Sequence, residues 1–341
     1  MTDSETIARV LDAADKRRLE RRQFLRSASV AGLAIGGSSL LAACGSGDKN
    51  KAPTPTPTSS GSPTPTPTAS STPSYDDTDA FAFALNLEYL EAQFFLHAAF
   101  GSGLADDLTK SGDGKTAGGA VTGGRKVAFT DSVLAEYARE IAADERAHVT
   151  FLRTQLGSSV LAQPAINIDG GASGAFTAAA RAAGIVGSSG TFDPYASDAN
   201  FLLAAFLLED VMPTAYRGAI VYVSSTPLRE ATAGLAATEA YHSGLIRSTI
   251  YASGDATLIA NAGKFSNLRD SLDGTTDDDQ GVATDANGAS NIVPADPSNG
   301  IVFARTPAQV LNIAFLTGAK ATKGGFFPNG VNGTITTSAG S

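Results

Sequence analysis

The sequence predicts an all-α fold: a four-helix bundle with one long crossover, followed by a loop-rich C-terminal extension carrying one short helix. Three observations in the 341-residue chain predict it. Four segments carry apolar residues at steps of three and four, the signature of an amphipathic helix. Glu-x-x-His occurs twice, as Glu145-Arg146-Ala147-His148 and Glu239-Ala240-Tyr241-His242, using two of only three histidines. The second and third periodic segments are separated by about 40 residues and the third and fourth by only a few, so two hairpins are joined by one crossover.

The chain begins with a segment that is not part of the bundle. Arg21-Arg22-Gln23-Phe24-Leu25-Arg26 is a twin-arginine pattern of the kind that addresses a protein for export. The weakly apolar run from Ser27 to Ala43 is too short and Gly-rich for a membrane span, which needs about 20 apolar residues. It ends in Leu41-Ala42-Ala43-Cys44, which resembles a bacterial lipoprotein cleavage box, so residues 1–43 read as a signal and Cys44 as the lipidated residue. Cys44 is the chain's single cysteine, which excludes an intramolecular disulfide. Residues 44–78 read as a Ser/Thr/Pro-rich linker, an extended spacer that buries no core. A lipid on Cys44 would tether the protein without spanning the bilayer. The expected location is the outer face of the cytoplasmic membrane or the periplasm or cell envelope.

The first helical segment, about Thr78–Phe100, carries Phe81, Ala84, Glu88, Glu91, Phe95 and Ala98 in one stripe. The second, about Thr130–Leu156, carries Leu134, Tyr137, Ile141, Glu145, His148 and Leu152, and Thr130-Asp131 supplies its cap. A Gly-rich insert, Gly112–Gly124, enlarges the loop between these two. The third, about Asp198–Val223, carries Leu202, Ala205, Glu209, Met212 and Tyr216, and Pro213 should kink it. The fourth, about Pro227–Ala252, carries Leu228, Leu235, Glu239, His242, Ile246 and Thr249, and Gly254 should end it. The bundle is thus assigned to residues 79–254 and the extension to 255–341. In the extension Asp270–Asn299 reads as loop, Pro307–Leu316 as one helix, and Phe326-Phe327 as aromatics docking on the bundle. Asp277-Asp278-Asp279 lacks EF-hand spacing and reads as a solvated acidic loop.

Glu209 ends an almost wholly apolar run from Phe201, and a buried, unpaired carboxylate costs several kcal/mol unless it is protonated, paired or metal-bound. Glu88, Glu145 and Glu239 hold equivalent mid-helix places. Glu-x-x-His puts a carboxylate and an imidazole on one helix face. Four carboxylates and two neutral imidazoles balance two divalent cations, and that donor set suits iron or manganese. Glu91, one turn beyond Glu88, is a possible further ligand or a supporting acid. His97 should face away; Tyr137 and Tyr216 should pack or hydrogen-bond behind the ligands; Arg217 and Arg247 should be solvated or paired. The net charge of −9, with no basic cluster after residue 50, argues against nucleic-acid binding.

The stretches Ala84-Leu85-Asn86-Leu87-Glu88-Tyr89-Leu90-Glu91-Ala92, Asp144–His148 with Phe151-Leu152-Arg153, Glu209-Asp210-Val211, and Glu239–His242 with Arg247 resemble the ferritin-like superfamily. More narrowly they resemble exported ferritin-like proteins related to desiccation-related proteins. The resemblance covers about residues 79–252, and the tail through Gly333 more loosely. It implies a ferritin-like bundle in which Glu145 and Glu239 bridge two metals. Glu88 and Glu209 would each cap one, with His148 and His242 as terminal ligands. It further implies two iron ions, with manganese as the alternative, and an oxidoreductase of ferroxidase type acting on Fe(II) with O₂ or peroxide. A dimanganese catalase-like enzyme and a non-enzymatic stress or desiccation protein are the alternatives. Two positions depart from the family's habits: Phe95 stands where a tyrosine is frequent, and Thr238 precedes the second motif where Asp144 precedes the first.

Overall fold

The computed structural model describes residues 74–276, 278–284 and 288–340. The twin-arginine segment, Cys44 and the linker through residue 73 lie outside the described residues. None of the described helices is long and apolar enough to cross a membrane.

Helix α1, Asp77–Phe100, starts at a capping box in which Asp76 accepts from the Asp79 N–H and Asp79 returns the bond, and ends on Gly101 in the left-handed conformation. Nearly every residue from Ala80 to Ala99 is buried, because α1 is enclosed on all sides. After the single turn α2, Asp106–Thr109, the chain passes through strand β1, Val121–Gly123. Helix α3, Ser132–Leu156, is capped by Asp131 and packs along α1, the broadest helix pairing in the fold. The crossover then contributes strand β2, Ile166–Ile168, and helix α4, Ala175–Ala182.

The two inserted loops fasten to each other. β1 and β2 pair in parallel, Val121 against Ile166 and Gly123 against Ile168. Gly123 has φ +83°, and a Cβ there would meet the Asp169 Cα at 2.4 Å, so this junction admits only glycine. These strands are absent from the sequence expectation.

The third predicted helix is two. α5, Asp198–Glu209, and α6, Met212–Ala219, are separated at Asp210-Val211, with Pro213 in the first turn of α6. The proline therefore starts a helix instead of kinking one. α7, Thr226–Ala252, follows with Pro227 in its first turn and packs on both α5 and α6. Helix starts are tied together: the Asp198 carboxylate accepts from the Thr130 and Asp131 N–H groups at the head of α3. The Asp77 carboxylate does the same for Ser224 and Ser225 before α7.

The extension is more ordered than its composition suggests. Helix α8, Ala256–Asp273, is unanticipated, and it packs on α5 and on α9, Pro307–Phe315. Phe326 and Phe327 are buried, Phe326 lying edge-on to Phe176 at 5.0 Å. The tail presses closely on α6: a Cβ on Gly218 would meet the Arg305 carbonyl oxygen at 1.7 Å.

An ion network locks the extension to the bundle. Arg247, Arg269 and Arg305 are buried completely or nearly so, with Asp210, Asp273 and Asp279 as partners. Asp210 accepts from Arg247 (2.6 Å) and Arg269 (2.9 Å); Asp279 accepts from Arg269 (2.7 Å) and also from Arg305; Asp273 accepts from Arg305 (2.5 Å). Asp279 is thus an ion-pair partner in the interior, which corrects its reading as a solvated loop acid. Arg247 is likewise paired and inaccessible, and its guanidinium lies 5.4 Å from the Phe206 ring, with Arg269 at 4.7 Å from the same ring. Removing one member leaves an uncompensated buried charge. Arg269→Ala should therefore cost about 3–5 kcal/mol of stability, read as a lowered guanidinium unfolding midpoint.

Candidate metal centre

Each functional side chain is delivered by a helix whose burial fixes its direction. Glu88 lies midway along α1, Glu145 and His148 on successive turns of α3, Glu209 at the last residue of α5, and Glu239 and His242 on successive turns of α7. All four glutamates are fully buried, and the two histidines nearly so. Glu209 reaches its place because α5 is apolar all round and stops there; the break at Asp210-Val211 follows directly.

The six side chains form two groups that share two members. Glu88, Glu145, His148 and Glu239 each offer a donor atom within 4.8 Å of the others, and so do Glu145, Glu209, Glu239 and His242. His148 Nδ1 stands 2.9 Å from Glu239 Oε1, 3.2 Å from Glu88 Oε2 and 3.7 Å from Glu145 Oε2. His242 Nδ1 stands 3.0 Å from Glu145 Oε1 and 3.7 Å from both Glu209 Oε2 and Glu239 Oε2. The two rings are stacked with centroids 6.1 Å apart. Glu145 and Glu239 each turn one oxygen to either histidine.

His148 Nδ1 and Glu88 Oε2 are hydrogen-bonded, whereas the other pairs are close but not aligned for it. Both oxygens of Glu145, Glu209 and Glu239, and Nδ1 of His242, are buried without an aligned hydrogen-bond partner. Buried polar atoms are satisfied in more than nine cases in ten, so seven orphans at one point call for an absent partner. The donors face shared points between them, and carboxylate oxygens with one imidazole per group are the donor set of iron or manganese. The residues present fit a di-metal site.

Without cations the site is held by protons. Burial pushes the Glu88 and Glu209 carboxyls well above the ordinary range, and the neighbouring carboxylates add to this against the pull of the histidines. Burial acts the same way on Glu145, but the facing His148 and His242 outweigh it and hold that carboxyl down at about 2. Burial alone would lower both histidines. The surrounding carboxylates reverse this, raising His148 far up and His242 to about 12.

The structure leaves Glu91 outside both groups. It is buried on α1 with Oε2 unpartnered, and it lines an apolar cavity of about 30 Å³ with Leu87, Leu208, Met212, Ile313 and Phe326. Burial and then the charges of Glu209, Glu239, Glu145 and Glu88 push its carboxyl well up. Tyr216 donates its hydroxyl to Glu88 Oε1. Tyr137 is half-buried in a groove beside the site, His97 is half-buried and in neither group, and Arg217 donates to the Val302 carbonyl. Asp210, which the sequence reading named without a role, is bonded to Ser243 Oγ at 2.6 Å, tying the residue after Glu209 to the residue after His242. Its signal was available in Arg247, a cation one turn beyond His242 on the buried face of α7.

A model of the ferritin-like domain family matches residues 76–252, and the chain belongs to that family. Among curated proteins, the desiccation-related protein PCC13-62 of Craterostigma plantagineum is 30% identical over 265 residues, covering 73% of this chain and 80% of that one. The ferritin-like catalase Nec2 of Nesocodon mauritianus is 28% identical over 273 residues, covering 74% and 82% respectively. No solved structure matches the chain significantly.

The protonation pattern has a sign. A carboxyl or imidazole whose folded pKa is raised stabilises the fold below its unfolded value and loses that contribution as pH rises. Glu88, Glu209, Glu91 and both histidines all act in this direction. Glu145, held at about 2, acts oppositely and only in acid. The Tm of chelator-treated protein should therefore fall between about pH 5 and about pH 9, while the metal-loaded protein shows a flatter profile. Scanning calorimetry across that range checks it.

Proposed function

We propose that this protein is an exported, membrane-tethered di-metal carboxylate protein whose two ions, iron or manganese, act on hydrogen peroxide. The observation that carries this reading is the pair of donor groups sharing Glu145 and Glu239 with their buried oxygens unpartnered. A pair of redox-active ions would supply and accept the electrons needed to convert two H₂O₂ to two H₂O and O₂. Glu88 and His148 would hold one ion, Glu209 and His242 the other, with Glu145 and Glu239 between them. The Tyr216 hydroxyl fixes Glu88 Oε1. Glu91 and its apolar neighbours would exclude bulk water beside the site. The name of the relative Nec2, a ferritin-like catalase, supports peroxide as the reactant.

Oxidation of Fe(II) by O₂ or peroxide is the second reading, favoured by the carboxylate-dominated donor set and by Glu140 and Asp144 at the groove that reaches His242. The two are separated by loading the metal-free protein with Mn(II) or, anaerobically, with Fe(II). Oxygen evolution from peroxide by the Mn(II) form supports the first; a diferric absorbance on admitting air supports the second. Two ions per chain are expected by elemental analysis, and Glu145→Ala should lose both ions and at least about 100-fold in turnover. Metal that raises Tm without turnover on either reactant would leave it as a structural staple. That outcome would fit the desiccation-related relative.

Export rests on Arg21-Arg22, and tethering on Cys44. The twin-arginine route suits a domain that folds and takes up its ions before export. Cys44→Ala should move the protein from the membrane fraction to the soluble fraction of the envelope, checked by fractionation and immunoblot.

A further inference from the structure

The two Glu-x-x-His motifs are alike in sequence, but their surroundings differ. His242 Nε2 lies 3.2 Å from Asp144 Oδ2, which leaves Nδ1 facing Glu145, Glu209 and Glu239. A carboxylate on the far nitrogen fixes the ring's orientation and strengthens its donor atom. His148 has no such support. Its carboxylate neighbours all lie at Nδ1, and among the described residues none stands within ion-pair distance of Nε2. The residue placed on α7 as Asp144 is on α3 is Thr238, whose hydroxyl is turned back to its own helix at the Gly234 carbonyl, 3.3 Å away.

The capping carboxylates differ in the same direction. Both Glu209 oxygens are free of hydrogen-bond partners, whereas Glu88 has Oε1 occupied by the Tyr216 hydroxyl and Oε2 against His148 Nδ1. Access differs too. A groove of about 390 Å³ between α3 and α7 is lined by Tyr137, Glu140, Asp144, Tyr241 and His242, with Asp144 44% exposed at its wall. A cation entering by it meets Asp144 and then His242.

Resting on the di-metal reading above, we propose that the two positions are unequal: the one formed by Glu209 and His242 fills first, and Asp144 is the positioning residue that makes it so. The Glu88–His148 position fills second and exchanges more readily.

The test is a calorimetric titration of metal-free, full-length protein with Mn(II), with elemental analysis of the bound ions. Wild type should show two steps of different affinity. His242→Ala should remove the tighter step and His148→Ala the weaker, which assigns them. Asp144→Asn should weaken the tighter step by about 10–100-fold and leave the weaker one within about twofold. A merely structural role would weaken both steps together. Asp144 sits at the helix surface, and circular dichroism with a Tm checks that the variant folds. Two equal steps in wild type, an unchanged tighter step in Asp144→Asn, loss of both steps together in that variant, or removal of the tighter step by His148→Ala would each overturn the proposal while leaving the di-metal reading intact. A wild-type protein that takes up no Mn(II) or Fe(II) would overturn the di-metal reading itself, and this inference with it.

Discussion

Four glutamates meet in an interior that offers them almost no hydrogen-bond donors, and the rest of the structure is arranged around that. Charge in a low-dielectric interior is costly unless compensated, by several kcal/mol for each uncompensated ion. The helices cannot relieve the cost by rotating, because each glutamate stands on a face whose other residues are buried with it. On α1 the surface is buried all round, and on α5 the apolar run leads directly into Glu209. The raised carboxyls of Glu88 and Glu209 and the raised imidazoles of His148 and His242 lower the cost of closing the metal-free protein. They leave the site a poor hydrogen-bonding network, with seven orphaned atoms. A pair of divalent cations would neutralise the same four carboxylates.

A second charged cluster lies just behind the first and shows the contrast. Arg247, Arg269 and Arg305 face Asp210, Asp273 and Asp279, three cations against three anions, with backbone carbonyls taking the remaining guanidinium hydrogens. That cluster balances its charge within the chain, with Asp273 Oδ1 as its one oxygen lacking a hydrogen-bond partner among the described residues. The glutamate cluster does not, since its five buried acids, Glu91 included, face only two imidazoles. The two clusters meet at Glu209-Asp210, so the break between α5 and α6 is fixed from one side by the candidate ligand and from the other by α7 and α8. This makes the C-terminal extension part of the site's support.

The helices and the glutamates were legible because their signals are local. Glu-x-x-His occupies one helical turn, and Glu209 stands out against eight apolar neighbours. What escaped notice depends on distant partners or on weak contrast. Helix α8 buries Ala262, Ser266 and Arg269 among its larger residues, so its inward face is marked by small and charged side chains and shows little amphipathic period. Asp279 looked solvated because it lies in a loop whose partners are Arg305, 26 residues on, and Arg269, back on α8. β1 and β2 are three residues each, below what alternation can reveal, and exist because two loops inserted for other reasons lie side by side. Pro213 was recognised as a disruption, but whether a proline kinks one helix or begins the next depends on the residues before it, and Asp210 is turned outward to Ser243, Arg247 and Arg269.

The centre has two unlike sides, one of them closed by the extension. Toward Glu91 the space is small and apolar, closed by α9 residues Val310, Ile313 and Ala314 and by Phe326, with room for about one water-sized molecule. Toward His242 the helices α3 and α7 part, and the groove between them is lined by acids and by the exposed Tyr241. A small polar reactant or a hydrated cation can approach only where its own solvation is replaced step by step, which the acidic groove offers and the apolar wall does not. The groove thus gives a polar approach to His242, while the apolar wall encloses the Glu91 carboxyl.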